Sequence, residues 1–461
     1  MLSFDSKDVT QGTPVTIVEI VNFDSEKTMP EVWSKLNSRI VYSIFILVSL
    51  VLTLIVLNLD ITGFQFQKAS GGYIKARPVS AGPSLIDPNL KLEIVFKNTG
   101  KLDTPTTSMA FIGPDDILVL EKNKGTVQRI INGQLQSKPL LQVPVGNEVE
   151  WGMLGIAITK SAEKTYVFLY YTEANAHGGG ILGNRMYRYE LVSDKLVNPL
   201  LLLDLPATSP QKGQENNHDG GKTMMGPDRN VYVVIGDVGS RNGQAQNNVG
   251  GDPLDGTSGI LRVTQEGQPV GRGILGDTIP LRLYYAYGIR NSFGFDFDPL
   301  SGTIWDTENG ADDKDEINLV KPGFNSGWGQ IMGFPPNRFN PENDLVNFDG
   351  KGQYSNPQFV WKQTVGPTAL QFLNSTKLGK QYENTLFVGN VNTGNLYNFK
   401  LNASRTGLLL EGPLTDHIAD TPEEEQSIIF GEGFGVITDI KVGPDGYLYI
   451  LGFDGTIYRI S

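Results

Sequence analysis

The sequence predicts an all-β protein, a six-bladed β-propeller preceded by a single transmembrane helix. Three observations carry that prediction. A strand-turn-strand unit opening on a Gly-Pro or Asp-Pro turn recurs along the chain after residue 90. Glycine and proline account for 54 and 26 of 461 residues, the composition of many short strands joined by turns. Near the N-terminus stands one long uncharged apolar run.

That run is Ile40–Leu59, IVYSIFILVSLVLTLIVLNL. It has the roughly 20 apolar residues needed to cross a bilayer, and it lacks the polar face of a buried core helix. No small-residue cleavage site follows it, so residues 39–60 read as an uncleaved membrane anchor. Residues 1–38, polar and without periodicity, read as a disordered tail. Lys35 and Arg39 precede the run and Asp60 follows it, so the positive-inside bias puts the tail in the cytoplasm. The expected localisation is the cell membrane, single-pass, with the propeller outside the cytoplasm. Residues 61–89, rich in Gly, Ser, Ala and Pro, read as a linker.

Residues 90–461 carry the repeats. The unit stands in Phe111–Ile130, Met224–Asp237, Phe295–Gly310 and Ile440–Ile460, with more diverged copies in Leu154–Ala174 and Tyr382–Leu401. Six such units imply one propeller blade each; a β-sandwich with chance similarity among its turns is the competing arrangement. The C-terminal strand Thr456–Ile460 is expected to complete a sheet with an early strand near Leu92–Phe96.

Composition excludes several classes. The net charge is −12 with no basic stripe, which argues against nucleic acid as a partner because phosphate neutralisation needs clustered Lys and Arg. The absence of cysteine rules out disulfides, thiol nucleophiles and thiolate metal sites. The sequons at Asn374 and Asn402 suit an outward-facing domain.

The chemistry centres on Asn216–Ser240. There His218 stands in a glycine-flanked polar loop, followed by the Gly226-Pro227-Asp228 turn and a strand ending on Gly236-Asp237. The chain has three histidines in all, His177, His218 and His417. An imidazole titrates near neutrality and suits proton removal, and Asp237 is placed where its carboxylate could orient it. The plain alternative is a loop histidine with a strand-end aspartate.

Five segments in order resemble the glucose/sorbosone dehydrogenases, the soluble-type sugar dehydrogenases that use pyrroloquinoline quinone (PQQ) and are six-bladed propellers. These are EWGMLGIAI (150–158), NHDGGKTMMGPDRNVYVVIGD (217–237), YAYGIRNSFGFDFDP (285–299), ENGADDKDEINLVKPGFNSGWG (308–329) and GPDGYLYIL (443–451). The resemblance implies that His218 is the base taking the sugar C1 hydroxyl proton and that Asp237 orients it. It places Glu150 beside the substrate, where the family often has Gln, and makes Arg290 and Asn291 a cofactor-binding pair. An Arg suits that task because its fork binds planar carboxylates. Gly310 and Ala311 match positions whose carbonyls hold Ca²⁺, an oxygen-only site that suits this cation. Ala311 departs from the family's usual Pro. Read alone, Asp312, Asp313, Asp315 and Glu316 would instead suggest a carboxylate metal cluster. Trp328 reads as blade packing rather than cofactor stacking.

The departures fall on the cofactor. The family offers a lysine where this chain has Asn392, and two arginines where it has Val436 and Thr438. Each lost charge-assisted contact is worth about 1.5–3 kcal/mol, so the expected loss of affinity is several powers of ten. Lys222, Arg241 or Lys314 could substitute. Around Trp361 one extra residue leaves a stacking tryptophan in doubt. Two main readings follow. One is an aldose dehydrogenase using PQQ and Ca²⁺ and passing electrons to an external acceptor. The other is a non-catalytic surface propeller binding a glycan or a protein, because propellers host many functions. A calcium-dependent propeller hydrolase is a third reading, without a motif of its own.

Overall fold

The computed structural model describes residues 82–103, 105–208, 216–239, 247 and 255–461. The expected tail, anchor and most of the linker lie outside the described residues. Among those described, no helix is long and apolar enough to cross a membrane. Pro78–Ser461 form one compact unit.

Six sheets succeed one another along that unit. Blade I contains Thr106–Gly113, Asp116–Glu121, Thr126–Ile131 and Gln134–Leu135, with Leu141–Gln142 also paired to its third strand. Blade II contains Met153–Lys160, Thr165–Ala174, Ile181–Val192 and Lys195–Leu205. Blade III runs Thr223–Met225, Val231–Ile235, Gly259–Val263 and Tyr284–Tyr287, then adds Phe324–Asn325 and Gln353–Tyr354 in parallel. Blade IV holds Gly294–Phe297, Ile304–Glu308, Asp313–Val320, Phe359–Gln363 and Ile418–Ala419. Blade V holds Pro367–Phe372, Leu386–Asn390, Leu396–Phe399 and Ile429–Glu432. Blade VI holds Ile437–Val442, Leu448–Gly452 and Ile457–Ile460. Each of the six repeats read in the sequence falls in a different one of these sheets.

The first strands of neighbouring blades touch, I to II, II to III, IV to V, V to VI and VI back to I. An apolar cluster of Tyr232, Val234, Phe295, Ile304 and Val320 joins III to IV. The ring explains why the second strands are apolar without alternation. Val231, Val233 and Ile235 pack toward blade II, while Tyr232 and Val234 between them pack toward blade IV. A strand covered on both faces has no reason to alternate.

The repeated turn has a common mechanism. Asp228 Oδ1 accepts from the Asn230 N–H at 3.1 Å and its Oδ2 from the Tyr232 hydroxyl at 2.9 Å. In blade VI Asp445 does the same for the Tyr447 N–H at 3.2 Å and the Tyr449 hydroxyl at 2.8 Å. An aspartate bonding the backbone two residues on is a turn in its own right, and the tyrosine ties it to the strand it starts.

Closure is as expected: Leu92–Phe96 pairs with Ile457–Ile460, Leu92 opposite Ile460. The linker boundary is corrected, because Ser84–Leu85 adds a further strand to blade V, with Ser84 opposite Glu432. Asp87 also accepts from the Tyr382 hydroxyl at 2.9 Å. Residues 84–89, assigned to a linker on composition, therefore belong to the propeller. Asn374 is exposed, whereas the Asn402 side chain is engaged in its own turn, accepting from the Thr406 N–H at 3.0 Å.

Candidate active site

The loop Asn216–Lys222 runs back along the strand Val231–Ile235. Gly221 N–H donates to Val234 O at 2.8 Å, and Gly236 N–H donates to His218 O at 3.1 Å. That ladder sets His218 against the strand end and puts Asp237 beside it. Asp237 N–H then donates to Arg290 O at 2.9 Å, which brings the GIRN segment to the same place. Gly236 is the junction. A Cβ there would lie 2.4 Å from Arg290 O and 2.8 Å from His218 O. His218 itself has a φ of 63°, a strained position for a non-glycine residue that is worth noting at a site.

His218 and Asp237 are 4% and 0% exposed. The His218 Nδ1 bonds Asp237 Oδ1, so Nδ1 carries the proton and Nε2 presents a lone pair. The other carboxylate oxygen accepts from Trp328 Nε1 at 2.7 Å. Trp328, expected to be blade packing, is thus a site residue, because the segment after Phe324–Asn325 turns its indole onto Asp237.

Glu150 is brought to the same place. Its oxygens accept from Asp219 N–H at 3.0 Å and from Asn291 Nδ2 at 3.2 Å. Burial raises its pKa, with the His218 charge acting the other way. Asp219, unnoticed in the sequence, is fully buried; burial first, then the Glu150 charge, pushes its carboxyl up to about 8. Its Oδ1 accepts from Asn184 Nδ2 at 2.7 Å, while Oδ2 has no partner among the described residues. Lys122 stands near both acids, pushed down to about 8 by burial, and donates to Trp151 O at 2.7 Å. The adjacency of Asp219 to His218 was a signal in the sequence; Lys122, from blade I, had none.

Arg290 Nη1 donates to Asn309 O at 2.8 Å and to Gly310 O at 2.9 Å, and the guanidinium lies 5.3 Å from the Trp328 ring centre. Its backbone N–H donates to Glu308 at 2.7 Å; burial pushes that carboxyl up to about 7. Arg290 Nε and Asn291 Oδ1 are buried without partners among the described residues. Around a proton acceptor, therefore, stand an unpaired N–H, an unpaired amide oxygen and a half-buried carboxyl, the means to hold a polyhydroxylated or anionic ligand.

The family model described as Glucose / Sorbosone dehydrogenase matches residues 102–459. The chain belongs to this family. It is 26% identical over 370 residues to the aldose sugar dehydrogenase of Escherichia coli, covering 78% of this chain and 91% of that protein. It is 28% identical over 251 residues to quinoprotein glucose dehydrogenase B of Acinetobacter calcoaceticus, covering 48% of this chain and 50% of that one. An oxidoreductase (glucose dehydrogenase) structure from Thermus thermophilus superposes with a TM-score of 0.61 at 26% identity, over 81% of this chain and all of that one. The PQQ-bound aldose sugar dehydrogenase of Streptomyces coelicolor shares the fold, with a TM-score of 0.58 at 20% identity over 84% of this chain and all of that one.

The metal position does not fit calcium. Gly310 O, expected to hold it, already accepts from Arg290, and Ala311 is exposed. A dication on that carbonyl would sit beside a guanidinium, a repulsion of several kcal/mol at an effective dielectric of about 20. The neighbouring acids do not converge either. Asp315 is spent on the N–H groups of Gly310, Val365 and Gly366 at 2.8, 2.6 and 2.8 Å. Glu316 is buried against Gly333 and Asn318, while Asp312 and Asp313 are exposed. Among the described residues no group of three or more His, Asp or Glu could hold a metal.

The quinone position fits better, because Arg290 Nε and Asn291 Oδ1 have no partner among the described residues and can bond a ligand. The expected substitute cations are otherwise engaged. Lys222 is buried against Asp439, and Lys314 is about half exposed beside Asp313 at 3.9 Å. Arg241 lies outside the described residues. Lys441, 3.8 Å from the same Asp439, was not foreseen; it is pushed down to about 8 by burial. Trp361 is 1% exposed and packs on Phe359 and Tyr397 at 5.0 and 5.2 Å, a core residue rather than a stacking one. His177 is exposed, and His417 bonds Gln358 O at 2.7 Å.

Proposed function

We propose that this chain is an aldose dehydrogenase that oxidises the C1 hydroxyl of a sugar to a lactone, with PQQ as its cofactor. The observation that carries the reading is the His218–Asp237–Trp328 chain of hydrogen bonds. Asp237 is saturated by an imidazole and an indole, so it fixes the ring and its tautomer and leaves Nε2 as the base. His218 then takes the C1 hydroxyl proton while the C1 hydride departs and the C1–O bond becomes a carbonyl. Asp237 stabilises the imidazolium that results. Glu150, held by Asn291 and the Asp219 N–H, lies on the sugar side and accepts from a sugar hydroxyl. Arg290 and Asn291 would hold the quinone, which supplies the two-electron acceptor for the hydride. Electrons leave to an external acceptor. The apolar run Ile40–Leu59 would anchor the protein in the cell membrane with the propeller outside.

A second reading, a propeller that binds a glycan or protein without turnover, is favoured by Asn392, Val436 and Thr438, none of which bears a charge. PQQ titration of the purified protein, with dye-linked aldose oxidation by wild type and His218→Ala, separates the two. The dehydrogenase reading expects saturable quinone binding and activity abolished in the variant. Absence of quinone binding would sink it.

A further inference from the structure

We propose that Arg290 is the resident cation of this pocket, taking the carbonyl that the family pattern assigns to calcium, so that the site carries its charge without a metal. The proposal deepens the dehydrogenase reading of the same pocket and rests on it.

The guanidinium is built in rather than draped over the loop. Nη1 bridges two successive carbonyls, Asn309 O at 2.8 Å and Gly310 O at 2.9 Å. The Arg290 backbone is pinned from both sides, its N–H on Glu308 at 2.7 Å and its carbonyl under the Asp237 N–H at 2.9 Å. Its central carbon lies 5.3 Å from the Trp328 ring centre, and that ring is itself fixed by Asp237. The loop bearing the carbonyls is equally fixed, because Asp315 holds the Gly310 N–H at 2.8 Å and anchors to Val365 and Gly366 across blade IV.

Calcium needs six to eight oxygens. Here the neighbouring acids are spent on the backbone or face solvent, so a calcium would have to complete its shell with water around the same two carbonyls that Arg290 Nη1 occupies. Arginine keeps its charge at every working pH. Its Nε–H, buried and unpartnered among the described residues, remains to donate to an oxygen of a bound anion or quinone. The charge a metal would lend the pocket is thus supplied by a group that a chelator cannot remove.

Calcium titration by calorimetry, and diffraction from crystals grown in millimolar calcium chloride, test this without quinone or sugar, so the result stands whatever the sugar assay gives. In the wild type, Arg290 stays on Gly310 O and no calcium lies there. Arg290→Gln gains calcium on that carbonyl, at least about tenfold tighter than wild type. Arg290→Lys, which keeps a cation beside the carbonyls, does not. Calcium on Gly310 O in the wild type would overturn the proposal. So would an Arg290→Gln variant, folded by circular dichroism, that still leaves the carbonyl metal-free. If that variant does not fold, the wild-type crystals decide alone.

Discussion

Trp328→Phe tests the hydrogen-bond chain behind His218 with little disturbance elsewhere. The variant keeps an aromatic ring for the Arg290 guanidinium and removes one N–H, the donor 2.7 Å from Asp237 Oδ2. Asp237 is fully buried, so the released oxygen cannot be rehydrated in place. A hydrogen bond to a charged group contributes about 1.5–3 kcal/mol, which corresponds to roughly 10- to 100-fold in a rate or equilibrium constant. In dye-linked aldose oxidation with PQQ, the loss should fall on kcat with KM little changed, because the indole bonds the carboxylate and not the sugar. Urea denaturation should show a parallel loss of about 1.5–3 kcal/mol. A variant matching wild type in both kcat and stability would refute the idea that the indole holds the carboxylate.

Two further outcomes follow from buried groups nearby. Burial, with the Glu150 charge beside it, pushes the Asp219 carboxyl up to about 8, far above the usual aspartate value of about 3.9. The native state therefore binds the extra proton between those limits, and stability falls as pH rises through them. Asp219→Asn removes that fall: its stability relative to wild type should grow from pH 4.5 to 7.5 by at most about 4 kcal/mol. The opposing Lys122 titrates above that window, so a gap in urea midpoints that does not change with pH would refute the assignment. Gly236→Ala puts a Cβ 2.4 Å from Arg290 O, and overpacking of this kind costs about 1–3 kcal/mol. An unchanged unfolding midpoint would show that the junction can relax.

The propeller was legible because its turns repeat a mechanism. In blades III and VI, where Gly-Pro-Asp precedes a strand, the aspartate closes the turn locally, and local chemistry is written in consecutive residues. Ser84–Leu85 was not legible: two residues in a Gly/Pro-rich stretch have no period, and their partner, Glu432, lies at the other end of the sequence. The same distinction divides the site. His218 and Asp237 could be paired from one loop-strand unit. Trp328 was misread because its bond to Asp237 exists only after blade III and the loop beyond it are assembled. Arg290 was read as a cation for a ligand, but the carbonyls that engage it are turned toward it by Asp315, a contact no spacing reveals. Lys122, Glu150 and Asp219 converge from three separate segments, and their perturbed protonation follows from that meeting rather than from any motif.

The pairing of Leu92–Phe96 with Ile457–Ile460 also has a consequence for biosynthesis. Glu93 and Arg459, which bond across that seam at 3.0 Å, are 366 residues apart. A chain made from its N-terminus exposes the unpaired edge of Leu92–Phe96 until Ile457–Ile460 is translated. Such an edge is a template for wrong pairing, and contacts this distant in sequence form slowly. The seam is therefore where nascent chains would need shielding by a chaperone. Removing Leu92–Phe96 from a recombinant form would leave the Ile457–Ile460 edge of blade VI unpaired.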